Sequence, residues 1–185
     1  MAVRPILEVP DPRLMQPSVP VTAFDASLHA LLQDMKDSLE AEDALGIAAI
    51  QIGVPKRVLL MDFRPYAAEE HRERRGRREV VIERSDGGDP FEFYTIINPV
   101  FIHQSEKQET QDEYCLSVPD VGVPVTRPWS VGLRYQTPSG EEREIHASGL
   151  LARCLQHEFD HLEGITLMQR ASPIKRAMIL RRLQK

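Results

Sequence analysis

His157, Glu158 and His161 stand in an H-E-x-x-H frame within SGLLARCLQHEFDHLEG, residues 148–164, and two imidazoles with a carboxylate at this spacing can do hydrolytic chemistry on a metal ion. On an α-helix the two histidines fall about 40° apart on one face and roughly 6 Å apart along the axis, so both rings can converge on one ion. Glu158 lies on the flank of that face. It can reach an open coordination position without being a ligand, which is where a general base for an activated water must stand. An isolated HExxH also occurs as ordinary polar residues on a half-exposed helix. Here Leu150, Leu151, Leu155, Phe159 and Leu162 give the helix a large apolar surface, which predicts burial, and buried histidines need partners.

A tetrahedral catalytic site takes a third protein ligand and keeps one position open. The chain offers two cysteines. Cys154 shares the histidine stripe but stands two turns from His161, roughly 10 Å along the axis, so one ion cannot bind both. It reads as a small core residue. Cys115 lies in EYCLS, after a β-like run and before Pro119, where a separate strand can carry a thiolate across to the helix. The candidate ligand set is therefore Cys115, His157 and His161 plus water, a donor set that suits both Zn(II) and Fe(II).

The elements that must position these groups follow from periodicity and punctuation. For the metal helix, Ser148 is the expected cap and Gly164 suits the left-handed residue past the end. Leu28, Leu31, Leu32, Met35 and Leu39 recur at helical spacing and predict a first helix from about 24 to 42, with Thr22 as cap. His29 falls off that stripe and reads as a surface residue. ALGIAAIQIGVP, 44–55, is small and apolar with Gln51 as its only polar side chain. That amide can either aim at a developing oxyanion or bond to nearby backbone. KRVLLMDF, 56–63, reads as a buried strand. EVVIERS and FEFYTIINPVFI around SDGGDP predict that the charged excursion at 67–90 ends in a hairpin. Strands follow at 108–120 and on either side of the Pro138-Ser139-Gly140 turn, where His103 and His146 are ordinary polar positions. Ser172 and Pro173 open a C-terminal helix with Ile174, Ala177, Met178 and Leu180 available for packing. The N-terminal stretch 5–20 is too proline-rich for helix and reads as an extended wrap. Mostly antiparallel strands around a central helix, with a helix at either end, make the expected class α+β in a single domain.

Composition excludes several classes. The chain has 185 residues, 42% of them hydrophobic, enough for one sizeable core. No apolar run is long enough for a membrane span and no signal segment is read, so a cytoplasmic protein is expected. Two cysteines do not make a disulfide framework. A net charge of −5 argues against a general nucleic-acid binder, and no sequence-specific nucleic-acid partner is expected. Positive charge gathers in HRERRGRR, 71–78, and in the tail from 173, which carries Lys175, Arg176, Arg181, Arg182 and Lys185 with no acid.

GIAAIQ at 46–51, EYCLS at 113–117 and HEFDH at 157–161, in this order, closely resemble the three motifs of the peptide deformylase family. PDPRL near the start and INP before the second motif extend the likeness over the whole chain. The resemblance implies that Cys115, His157 and His161 hold one catalytic divalent ion, Fe(II) in the family and often replaced by Zn(II), Ni(II) or Co(II). It implies that Glu158 is the acid/base, that Gln51 and the Leu116 N–H form the oxyanion hole, and that Gly46, Ile47 and Tyr114 border the substrate. Glu113 and Arg127 match an ion pair behind the metal loop. The implied reaction is removal of formate from the N-formylmethionine of nascent peptides, and the implied partners are that peptide and, through the basic helix at 172–185, the ribosome. The chain departs from the family at Tyr114, where the motif has glycine, at Ala44, at Ile47, and at VGVP (121–124), which stands where an arginine often helps hold the peptide. If the motif glycine needs positive φ, Tyr114 is strained or the backbone there is rearranged. Two rival readings remain: a deformylase-like enzyme for another N-acylated substrate, and a silent metal-holding module that binds ribosomes or proteins. A zinc protease fits less well, since HExxH proteases recruit a carboxylate or a third histidine rather than a thiolate.

Overall fold

The computed structural model describes residues 2–67 and 81–183; residues 68–80, and with them the arginine run at 71–78, lie outside the described residues. Eight strands run in the order β1 (Gly46–Ala48), β2 (Val58–Asp62), β3 (Ile82–Arg84), β4 (Phe93–Gln104), β5 (Gln108–Cys115), β6 (Val118–Pro128), β7 (Ser130–Gln136) and β8 (Glu142–Ser148). Six of them form an antiparallel sheet in the order β1-β2-β4-β7-β8-β3, and β5 pairs with β6 in a separate hairpin. Helix α1 (Ala26–Ala41) covers one face of the large sheet, and α2 (Gly149–Leu162) covers the other. The fold is α+β, as the sequence pattern predicts.

β2 shows why the layers hold. Its residues alternate between the two faces, Val58 and Leu60 packing with α1 residues Met35 and Leu39, and Leu59 and Met61 packing with α2 residues Leu151 and Leu155. A strand buried on both faces must be apolar throughout, and VLLM is. Each of these side chains is at most 1% exposed, and burial of one such side chain contributes about 2 kcal/mol.

Four local expectations are corrected. Asp25, not Thr22, caps α1, its carboxylate accepting from the Ser27 and Leu28 N–H groups. Ser148 stands at the start of α2, but its side chain makes no capping bond; instead the Gly149 and Leu150 N–H groups donate to the carbonyls of Trp129 and Val81, so neighbouring chain does the capping. The SDGGDP segment does not close a hairpin. β3 pairs with β8 at the far edge of the sheet while β4 lies between β2 and β7, because alternation in a short strand does not say which neighbour it meets. In the C-terminal helix, α4 (Pro173–Leu183, after a short turn α3, Leu167–Arg170), Ile179 packs inward, whereas Ile174, Ala177, Met178 and Leu180 are exposed. Ser172 and Pro173 do open α4, the Ser172 hydroxyl accepting from the Lys175 N–H.

Candidate metal centre

The β5–β6 hairpin leans on α2, and at the join the donor atoms of Cys115, His157 and His161 all lie within 4.8 Å of one another. Cys115 Sγ is 3.3 Å from His161 Nε2. In a tetrahedral zinc or iron site, sulfur and nitrogen ligands are separated by about 3.5 Å, so the spacing fits a single divalent ion. Charge fits as well. Burial works against ionisation of the Cys115 thiol, yet the imidazoles of His161 and His157 outweigh it and hold the thiol well below its ordinary range. For His157, burial opposes the charged ring, but Cys115 and Glu113 together raise it well above the usual imidazole value. A thiolate among imidazoles in a closed site is a place that favours a cation.

Behind the site sits a network of opposite charges. The Glu113 carboxylate accepts from Arg127 Nε at 2.6 Å and Nη2 at 2.8 Å, from Arg153 Nη1 at 2.7 Å, and faces His157 Nδ1 at 2.9 Å. That last contact leaves Nε2 of His157 to turn toward the ligand position, the usual way a carboxylate orients a metal-binding histidine. Burial would raise the Glu113 carboxyl, but Arg127 and His157 hold it well below the carboxylate range. Arg127 Nη1 also meets Asp160 at 3.0 Å, and Asp160 is gripped in turn by Arg170. The ion pair of Glu113 and Arg127 was legible in the sequence; Arg153 and Asp160 were not read there. Their signal was a polar row at 153, 156 and 160 on a helix otherwise marked for burial, since buried charges require partners.

A cleft of about 570 Å³ opens on this centre. Glu158 lines it, is 5% exposed, and its Oε2 has no hydrogen-bond partner among the described residues. Burial pushes its carboxyl up, against the pull of His157 and His161, to about 7. Gly46 explains how the carboxylate fits: a Cβ at Gly46 would lie 2.5 Å from Glu158 Oε1, so glycine there vacates the space the carboxylate takes. Gln51 is 1% exposed, its Oε1 accepting from the Ala48 N–H while its Nε2 points to Ser117 Oγ at 3.2 Å and Cys115 Sγ at 3.8 Å. Both possibilities read from the sequence for this amide are thus visible in one residue: one end is tied to backbone and the other aims at the site.

Leu116 and Tyr114 of the hairpin line the cleft, as does Gly46 of the edge strand β1. Ile47 differs: its side chain is fully buried under α1, so contact with a substrate would run through the main chain of β1, an edge strand. Tyr114 is 71% exposed and is not among the positive-φ residues Asp43, Asn98 and Asp120, so the expected strain is absent. Cys154 packs against the α2 core and borders the cleft, and burial, with Glu158 adding to it, pushes its thiol well above the ordinary range. It stays outside the donor cluster, as helix geometry requires.

Comparison with known proteins places this geometry in context. The polypeptide deformylase family model matches residues 3–177. A peptide deformylase of Novosphingobium aromaticivorans is 41% identical over 191 residues, covering 100% of this chain and 97% of the relative. One of Rhizorhabdus wittichii is 42% identical over 185 residues, covering 100% and 96%. The crystal structure of peptide deformylase from Ehrlichia chaffeensis aligns with a TM-score of 0.83 at 35% identity, covering 99% of this chain and 96% of that one. With likeness of this extent in both sequence and fold, the chain belongs to the polypeptide deformylase family.

Proposed function

We propose that this chain removes the formyl group from the N-formylmethionine of newly synthesised polypeptides, releasing formate, with Cys115, His157 and His161 holding one divalent ion. The observation that carries the reading is Glu158: a buried carboxylate with an unbonded oxygen and a carboxyl pKa near neutrality, beside a thiol and two imidazoles that suit one cation. Held by those three residues, a divalent ion would supply Lewis acidity for the formyl carbonyl and for the attacking water. Glu158 takes a proton from the attacking water and delivers it to the departing amine. The Gln51 amide and the Leu116 N–H hold the negative charge that develops on the formyl oxygen. Ser117 supports this by fixing the Gln51 amide. The peptide lies between the edge strand β1, where Gly46 and Ile47 offer main-chain groups, and the wall that carries Tyr114. Fe(II) is the ion implied by the resemblance, and Zn(II), Ni(II) or Co(II) can occupy the same donors.

Anaerobically purified, Fe(II)-loaded protein is expected to release one formate per formyl-Met-Ala-Ser consumed. A fully loaded protein that released none would overturn the proposal. Two finer points belong to it. The exposed face of α4 joins Ile174 and Met178 to Lys175, Arg176, Arg181 and Arg182, a mixed basic and apolar surface suited to the ribosome, and removal of residues 173–185 should abolish co-sedimentation with ribosomes. The cytoplasm is the matching compartment, and no helix among the described residues is long and apolar enough to cross a membrane.

A further inference from the structure

Tyr114 is an unusual residue for its place. It stands between the buried Glu113 and Cys115 on the opposite face of β5, so its side chain is 71% exposed, and its hydroxyl makes no hydrogen bond among the described residues. Opposite this residue the β5–β6 register breaks. Glu113 pairs with Val123 and Cys115 with Val118, so Tyr114 alone opposes the longer stretch from Pro119 to Gly122. Such a bulge re-aims a side chain. Here the ring lies across Gly122: a Cβ built there would fall 2.9 Å from Tyr114 Cζ, 3.0 Å from the hydroxyl oxygen and 3.1 Å from Cε1. Glycine at 122 is therefore the seat on which the ring rests. So placed, the ring borders the cleft whose lining also includes Leu116 and Pro119 of the hairpin and Ala44, Leu45 and Gly46 at the edge strand β1.

We propose that the Tyr114 ring, seated on Gly122, is a specificity-determining surface on which the second and third residues of the formylated peptide pack. The inference rests on the deformylase reading and adds to it the part of the substrate that this chain reads beyond the methionine. A peptide whose formyl group reaches the Cys115, His157 and His161 cluster leaves the centre between the hairpin and the edge strand and passes the ring. The ring is apolar, rigid and already in position, so contact with it needs little ordering of the protein, and it has area enough to matter. Its hydroxyl has no assigned role, which makes phenylalanine an adequate substitute.

The test compares KM and kcat of the metal-loaded enzyme on formyl-Met-Ala-Ser and on N-formylmethioninamide, which ends before the second residue. Tyr114→Ala should raise KM for the tripeptide roughly five- to tenfold, the size expected for loss of one aromatic contact, with kcat and the amide substrate little changed. Gly122→Ala should move KM the same way, because its methyl group takes the place of the ring, whereas Tyr114→Phe should keep the wild-type value. An unchanged tripeptide KM in Tyr114→Ala, or equal losses on both substrates, would overturn the role of Tyr114 while leaving deformylation intact. No formate from the loaded wild type would overturn the deformylase reading and this inference together.

Discussion

At the scale of single residues, Glu158 can carry protons only while its carboxylate stays buried, free on one oxygen and close to the donor cluster. Gly46 secures that position by having no side chain. Glu158→Ala is therefore expected to retain one ion per chain while losing formate release by roughly 10²- to 10⁴-fold, measured by elemental analysis beside the formate assay. Gly46→Ala should also keep its ion and lose kcat, because the new methyl group displaces the carboxylate. Loss of metal in either variant would contradict the division of labour. Glu113 is the second pivotal residue, since it alone ties Arg127, Arg153 and His157 together. Glu113→Ala removes the carboxylate that the buried Arg127 and Arg153 share, leaving Arg127 to Asp160 and Arg153 to backbone carbonyls, so unfolding in denaturant should show a loss of about 3–5 kcal/mol, with metal affinity lower by roughly 10- to 100-fold. Much of this centre was legible from residue types: helix spacing picked out His157, Glu158 and His161, and the distance argument set Cys154 aside. Gln51 stood out as the one polar side chain in an apolar stretch, and the resemblance supplied Leu116 and the Glu113–Arg127 pair. Arg153 and Asp160 escaped because a polar residue on a helix announces its partner only when the facing hairpin is known.

At the scale of elements, ends and pairings proved harder to read than the elements themselves. Both long helices were predicted to within a few residues, yet Asp25 rather than Thr22 closes the start of α1. Asp25→Ala should lower the melting temperature by roughly 2–4 °C while Asp25→Ser restores most of it, followed by circular dichroism. The partner of β3 could not be read because pairing is decided by the whole sheet, and the inward residue of α4 is Ile179, which joins the cluster of Leu167 and Met168 that the sequence pattern does not reveal. Where β4 enters the sheet, burial pushes the Tyr94 hydroxyl up to about 12, with Arg84 pulling the other way, and the hydroxyl donates to the Asp89 and Pro90 carbonyls. Its neutral form is favoured in the fold over the unfolded value of about 10. The stabilisation is then whole below about pH 10 and lost as pH rises through about 12. Unfolding followed against pH should show this loss in the wild type and a flatter alkaline limb in Tyr94→Phe; identical limbs would refute it.

At the scale of the whole molecule, the fold serves to bring three distant stretches to one point. The edge strand and turn at 46–52, the hairpin tip at 113–118 and the helix at 149–162 are far apart in the chain; the first packs into the clusters on both faces of the large sheet, sharing one of them with the helix, while the hairpin tip packs into a third. Sequence order could not show that convergence, although the layer class was readable because helix and strand periods differ. The central claim is that a sulfur from the hairpin and two nitrogens from the helix grip one ion. X-ray absorption spectroscopy of the zinc-loaded protein tests it most directly. The account predicts one sulfur at about 2.3 Å and two imidazole nitrogens at about 2.0–2.1 Å, with the sulfur signal gone in Cys115→Ser. A wild-type spectrum with no sulfur neighbour, or one unchanged by Cys115→Ser, would contradict it.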